Sequence, residues 1–255
     1  MIDTHAHYDD ERFDGDRNEL LASLPQRGVE LVLSCADDAE SCRAVLALAE
    51  KYSHVFAACG IHPHSAAELP WERLEPLLRE CLAHPKCVCL GEIGLDYHYD
   101  FSPREIQREI FARQLALAQE LDMPVSVHIR EATEDALKIL GEYRPKGAVH
   151  CFTGSELTEQ TLLAMGMYLG FGGAVSFKNA KKPLAAAVFC PAERLLLETD
   201  APYMAPEPFR GRRCDSTHIK YTAEKIAAAR GTSPEELIAA ADENARRLFV
   251  FGGVG

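Results

Sequence analysis

The first seven residues, Met1-Ile2-Asp3-Thr4-His5-Ala6-His7, decide how the rest of the chain is read. Taken as a strand, residues 2–7 put Asp3, His5 and His7 on one face, because successive side chains alternate. Two imidazoles then reach the same point in space, which is half of a metal site. The other half is found at the ends of later apolar runs. Glu92 lies in Leu90-Gly91-Glu92-Ile93-Gly94, His128 follows Pro124-Val125-Ser126-Val127, His150 follows Ala148-Val149, and Asp200 closes Leu195-Leu196-Leu197-Glu198-Thr199-Asp200. Four imidazoles and two carboxylates, gathered from the tips of different strands, describe a hydrolytic metal centre.

Working outward from the first strand, short apolar or β-branched runs alternate with helical patterns, the signature of repeated βα units and a parallel sheet. The expected strands are Ile2–His7, Leu31–Cys35, Val55–Gly60, Val88–Ile93, Val125–Ile129, Ala148–Phe152, Met167–Gly172 and Arg194–Thr199. Amphipathic stretches fill the intervals at 14–26, 38–52, 71–83, 103–121, 132–143 and 157–164, and two more, 217–230 and 234–249, follow the last strand. Ser233-Pro234-Glu235-Glu236 marks the final helix start, with an N-cap serine, proline at the first helical position and glutamate at the third. The expected fold is α/β, a single-domain (β/α)8 TIM barrel over residues 1–255 with C-terminal helices. Active sites of such barrels sit at the C-terminal ends of the strands, where every candidate ligand falls. An open doubly wound sheet is disfavoured, because the turn after the first strand reads His7-Tyr8-Asp9-Asp10 instead of a glycine-rich phosphate loop. The tail Gly252-Gly253-Val254-Gly255 reads as a frayed end.

Composition narrows the class further. The chain has 255 residues, 47% hydrophobic and 26% charged, ordinary values for a globular protein of one barrel. No run approaches the roughly 18 apolar residues of a membrane span, and the N-terminus lacks the basic-then-apolar order of a signal peptide, so a cytoplasmic protein without membrane contacts is expected. The nine cysteines are odd in number and contain no C-x-x-C, so they read as buried thiols acting as small hydrophobes. A net charge of -12 excludes a protein that coats nucleic acid through a broad basic face. It leaves room for a small basic groove, formed by Lys178, Lys181 and Lys182 after one strand and Arg210, Arg212 and Arg213 after the next.

The candidate ligands are His5, His7, Glu92, His128, His150 and Asp200. With His5 and His7 on one side and His128 and His150 on the other, Glu92 is the natural bridge between two divalent cations about 3.5 to 4 Å apart. Asp200 can ligate one cation and hold or deprotonate the attacking water. His62 and His64 of Gly60-Ile61-His62-Pro63-His64 are candidates to contact the substrate or leaving group, and Arg130 shares the face of His128 and suits a phosphate. Tyr97, Phe152 and Tyr203 are candidates to stack on bases. The leading reading is a two-metal phosphodiesterase. Its rival is an ester, amide or lactone hydrolase, including a deacylase of charged RNA, because the same centre would polarise a carbonyl. The local basic cluster favours phosphate. A metal-binding scaffold without activity is the third class considered.

Six ordered motifs, together with the closing Asn244-Ala245-Arg246-Arg247-Leu248-Phe249, resemble the TatD family of metal-dependent deoxyribonucleases in the amidohydrolase superfamily. They are Asp3-Thr4-His5-Ala6-His7, Gly60-Ile61-His62-Pro63-His64, Gly91-Glu92-Ile93-Gly94-Leu95-Asp96, Pro124 through Ala132, His150-Cys151-Phe152-Thr153-Gly154 and Leu197-Glu198-Thr199-Asp200-Ala201-Pro202. The resemblance runs nearly end to end. It implies a (β/α)8 barrel, magnesium-dependent trimming of DNA from the 3′ end, and the six metal ligands named above, with Glu92 where superfamily relatives carry a carboxylated lysine. Magnesium is the ion implied for function, and zinc, manganese or nickel suit the same donors. Single-stranded DNA is the expected partner, and a monomer the expected state. One segment departs from the pattern: the family's Arg-Gly-basic-Asn-Glu/Pro-Pro run reads Arg210-Gly211-Arg212-Arg213-Cys214-Asp215-Ser216, which bears on substrate preference.

Overall fold

The computed structural model describes residues 1–252, so residues 253–255 of the expected frayed tail lie outside the described part. Eight parallel strands run in sequence order around a sheet: β1 Ile2–Ala6, β2 Leu31–Cys35, β3 Val55–Ala58, β4 Cys87–Asp96, β5 Val125–Arg130, β6 Gly147–Val149, β7 Tyr168–Phe171 and β8 Leu195–Leu197. Between and after them lie α1 Arg17–Ser23, α2 Ala39–Lys51, α3 Trp71–Leu82, α4 Arg104–Glu120, α5 Thr133–Tyr143, α6 Glu156–Ala164, α7 Lys181–Phe189, α8 Ile219–Arg230 and α9 Pro234–Leu248. The ring is nearly closed by a parallel bridge from Ala6 to Ala201, where His7 N donates to Ala201 O and Asp200 N to His5 O. Among the described residues no helix is long and apolar enough to cross a membrane.

Strands covered on both faces read as continuous apolar runs, and β2, β3, β6, β7 and β8 are buried at every position. Alternate residues serve two layers. Ile2, Leu31, Leu33, Phe56, Val88, Ala148, Tyr168 and Leu196 fill the barrel, with Phe249 and Phe251 packed against them. Val32, Val55, Ala57, Leu90, Val127, Leu169 and Leu195 face the helices.

Two irregularities in strand pairing bear on the site. The β1–β2 register shifts between Asp3 and Ala6, and the β4–β5 register shifts between Leu90 and Ile93, next to His5 and Glu92 respectively. Such bulges re-aim side chains beside active sites. Simple alternation therefore fails at the start of β1, and Asp3 does not join the two imidazoles. Its carboxylate instead accepts from Thr199 N at 3.0 Å, Thr199 Oγ at 2.6 Å and Ser216 Oγ at 2.6 Å, tying β1 to the β8 loop and to the approach to α8. Beyond the β4 bulge, Gly94 has φ 146°, and a Cβ there would sit 2.0 Å from the His128 carbonyl oxygen. Only glycine lets β4 and β5 approach this closely.

The helix at Lys181–Phe189 is not among those expected, and Lys181 and Lys182, taken as loop residues, lie in its first turn. Pro183 stands at its third position and Leu184-Ala185-Ala186-Ala187 follow, so the sequence has no polar–apolar alternation to reveal it.

Asp3→Ala would leave the Thr199 amide and two buried hydroxyls without their acceptor. The expected cost is roughly 2–4 kcal/mol, read from urea unfolding midpoints. A loss below about 0.5 kcal/mol would show that Asp3 does not hold the seam.

Candidate metal centre

The sequence-derived ligands converge at the C-terminal mouth of the barrel. His5 comes from β1 and His7 from just past it, Glu92 from the middle of the long β4, His128 from β5, and His150 and Asp200 from just past β6 and β8, while Asp96 ends β4 beside them. All but fully buried His5 line a cavity of about 650 Å³. Asp200 holds φ 59°, a left-handed conformation uncommon for a residue with a side chain.

At the centre is Glu92, 2% exposed. Its Oε2 lies 3.1 Å from His5 Nε2 and 3.4 Å from His7 Nε2, and His7 Nε2 lies 3.5 Å from Asp200 Oδ1. Its Oε1 lies 2.8 Å from His128 Nδ1, 2.7 Å from His150 Nε2 and 3.5 Å from His62 Nε2. The two oxygens thus open onto separate donor sets. Within each set ring nitrogens approach one another, His5 Nε2 to His7 Nε2 at 3.2 Å and His128 Nδ1 to His150 Nε2 at 3.0 Å.

Outer partners fix which nitrogen of each ring points inward. His7 Nδ1 donates to Cys35 O at 3.0 Å, and His128 Nε2 donates to Asp96 Oδ2 at 3.2 Å. His5 Nδ1 meets Ser126 Oγ at 3.0 Å. His150 Nδ1 faces Glu198 Oε1 at 4.0 Å and has no hydrogen-bond partner among the described residues. Outward protons leave inward lone pairs, the arrangement that orients histidines toward a metal ion. His62 is the exception. Its Nδ1 accepts from His64 N at 3.2 Å, which leaves the proton on Nε2, pointing at Glu92.

The electrostatics favour positive charge at His7, His128 and His150. Burial opposes protonation of His7, but Asp37, Asp200 and Glu92 outweigh it and hold its pKa well above the ordinary value. Burial likewise opposes His128, yet hydrogen bonds to Asp96 and Glu92 push it up to about 9. His5 goes the other way: burial and His150 bring it down to about 4 against the pull of Glu92. Burial penalises the Glu92 carboxylate, and the imidazoles around it, His150 foremost, more than compensate, holding it well below the usual range. Asp200 is also held down, by His7 and His150 against burial. In the low dielectric of the barrel mouth a divalent cation would satisfy what the protons satisfy here.

Around the ligands, His62, His64, Arg130 and Tyr203 line the cavity as expected from their strand-end positions. His64 Nε2 lies 3.1 Å from Asp96 Oδ2, and Arg130 lies over the Tyr99 ring at 4.7 Å. Glu131, the carboxylate that might have neutralised Arg130, pairs with His98 instead. Other expected contacts are elsewhere. Tyr97 does not face the cavity, since its hydroxyl donates to Asp135 at 2.6 Å and accepts from Arg108. Arg213 is held in a two-pronged pair with Asp16 at 2.7 and 2.6 Å, over the Phe13 ring. Lys181 and Lys182 line a neighbouring groove, while Lys178 and Arg212 are exposed and Phe152 is buried in the helix layer. Tyr203 donates its hydroxyl to Asp10 at 2.9 Å.

Three residues absent from the candidate set belong to the site. Asp96 anchors His64 and His128, and the alternation Glu92, Gly94, Asp96 along β4 carried that signal. Asp37 lies 3.6 Å from His7 Nδ1, two residues beyond the end of β2. Glu198 accepts from the Cys151 amide behind His150, and burial pushes it up to about 8. Arg213→Ala is therefore expected to leave KM for any substrate unchanged and to lower stability by at most about 1 kcal/mol, the scale of an exposed ion pair. A several-fold rise in KM would return Arg213 to the substrate path.

The profile of TatD-related DNases matches residues 2–250. The chain is 42% identical to the uncharacterized metal-dependent hydrolase YabD of Bacillus subtilis, over 98% of both chains. It is 34% identical to the 3′-5′ ssDNA/RNA exonuclease TatD of Salmonella typhimurium, again over 98% of each. Among solved structures, the TatD homolog YJJV of Escherichia coli K12 superimposes with a TM-score of 0.90 at 33% identity, covering 98% of both chains. The strand-tip ligands, the barrel and these similarities agree: the chain belongs to the TatD-related DNase family and is a metal-dependent hydrolase.

Proposed function

We propose that the chain is a two-metal phosphodiesterase that removes nucleotides from the 3′ end of single-stranded nucleic acid, with magnesium as its working ion. The observation that carries this reading is that the two oxygens of buried Glu92 each face a different donor set. His5, His7 and Asp200 would hold one cation, His128 and His150 the other, and Glu92 would touch both. The donor chemistry fits, since four rings aim nitrogens inward and four of the donors lie in triads close enough to share an ion with Glu92 or Asp200. Bound divalent ions supply Lewis acidity and neutralise the non-bridging oxygens during in-line displacement at phosphorus.

The remaining steps belong to the protein. Asp200 stays ionised, sits at the cavity wall and takes the proton of the attacking water. His62 stays neutral, since burial holds its pKa well below the ordinary value, and its Nε2–H donates a hydrogen bond to Glu92 or to the departing oxygen, without giving up the proton. Arg130 meets the phosphate beyond the cleaved bond. The exonuclease named in Salmonella typhimurium, with 34% identity, supports the substrate class. The rival carbonyl hydrolase has no comparable use for an arginine at the mouth that has no ion-pair partner among the described residues.

Asp200→Asn keeps the shape and removes the base. Turnover of a single-stranded oligonucleotide in magnesium should fall on the order of 10² to 10⁴-fold with metal content retained. Near-normal turnover would remove Asp200 from the mechanism.

The donor sets predict a second outcome, read by elemental analysis of protein equilibrated with manganese. Two ions per chain are expected in the native protein, and one in His5→Asn or in His128→Asn. One ion in the native protein would contradict the paired centre.

A further inference from the structure

Beside the metal centre a groove of about 980 Å³ opens between α6 and α7, with Ala229 of α8 at its side. Its wall is apolar, formed by Leu184, Ala186, Val188 and Phe189, and the last two are 40% and 51% exposed. Two features separate it from a packing defect. Lys181 and Lys182 stand on it, in the first turn of α7. Glu159 of α6 also lines it, 1% exposed, and neither carboxyl oxygen has a hydrogen-bond partner among the described residues. Burial, with the charge of Glu156, pushes that carboxyl up to about 7. A buried acceptor pair without donors is costly to a fold, and its place on a groove wall points to a ligand that brings the donors.

The groove is linked to the metal centre through shared lining residues. A smaller cavity of about 340 Å³ lies between them, sharing Arg130 and His150 with the metal-centre cavity and Gly154 with the groove. A strand whose end is held at Glu92 has a surface path past Arg130 and Thr153 to Glu159. Arg130 near the centre and Lys181 and Lys182 at the groove stand on that path, alongside the carboxyl groups of Glu131 and Glu156.

We propose that the groove binds a nucleobase of the substrate strand, a few nucleotides from the cleaved end, and that Glu159 selects guanine there. The proposal rests on the nuclease reading above and adds a base preference to it. Guanine places N1–H and N2–H side by side, so both oxygens of one carboxylate are satisfied at once. Adenine and cytosine set an amino donor beside an acceptor nitrogen and so match the carboxyl only in its protonated form, which places the preference for guanine above a pH of about 7, and thymine flanks its single N–H with carbonyl oxygens that repel a carboxylate. Phe189 offers aromatic surface to a base, and the two lysines meet the flanking phosphates.

The test uses the full-length, magnesium-loaded enzyme and single-stranded thymidine oligonucleotides carrying one guanine at successive positions from the 3′ end. One position is expected at which guanine lowers KM on the order of 10-fold, the usual scale of a two-pronged base contact. Hypoxanthine, which lacks the N2 amino group, should lose most of that gain at the same position. In Glu159→Gln the ratio between guanine and thymidine strands should fall to near one; if that variant does not fold, the hypoxanthine comparison in the native enzyme decides. Hydrolysis of every strand without positional preference would overturn the guanine subsite and leave the nuclease reading standing. Hydrolysis of none would overturn the nuclease reading. Fluorescence anisotropy of the same strands then decides the groove separately, equal affinity for guanine and thymidine strands overturning it.

Discussion

A carboxylate buried to 2% exposure at the mouth of a barrel must be compensated, and the rest of the site is arranged around that requirement at Glu92. An isolated ionised group in such a place would neutralise itself by taking a proton. Here five ring nitrogens lie within 3.5 Å of its two oxygens, and its pKa is held down despite burial. The compensation is reciprocal, since Glu92 and its neighbours Asp37, Asp96 and Asp200 raise the pKa values of His7 and His128. Removing one member of so buried a set strands the others, which ties the integrity of the mouth to its chemistry.

The scaffold meets this demand with strand ends and irregular pairing. Eight strands deliver side chains to one ring from rigid backbone, a more exact placement than loops provide. The shifts in register beside His5 and Glu92 turn those side chains toward each other, and Gly94 lets the β5 backbone carrying His128 close on β4. On the far side of the seam, Asp3 pins the β8 loop that presents Asp200. The seam carboxylate Asp3 and the candidate metal ligands His5 and His7 are thus neighbours along the first seven residues.

Period-two alternation and strand-end position were enough to read the barrel, its eight strands and the six side chains that meet at its mouth, because parallel strands buried on both faces leave long apolar runs with polar tips. The same signals misled at Asp3, where the bulge breaks alternation, and missed α7, whose alanine-rich face has no amphipathic period. Asp96 and Asp37 were legible in principle, one by alternation along β4 and the other by the strand-end rule applied to β2. Tyr97 and Arg213 mark the limit of sequence reading. Their types suit a nucleic acid, but Asp135 and Asp16 claim them, and those partners lie 38 and 197 residues away in sequence.

Two cations joined by Glu92 are the centre of the account, and anomalous diffraction from crystals loaded with manganese locates them directly. Two peaks about 3.5 to 4 Å apart are predicted, one among His5, His7 and Asp200, the other between His128 and His150, with a different oxygen of Glu92 on each. A single peak, or two peaks with Glu92 touching neither, would contradict it.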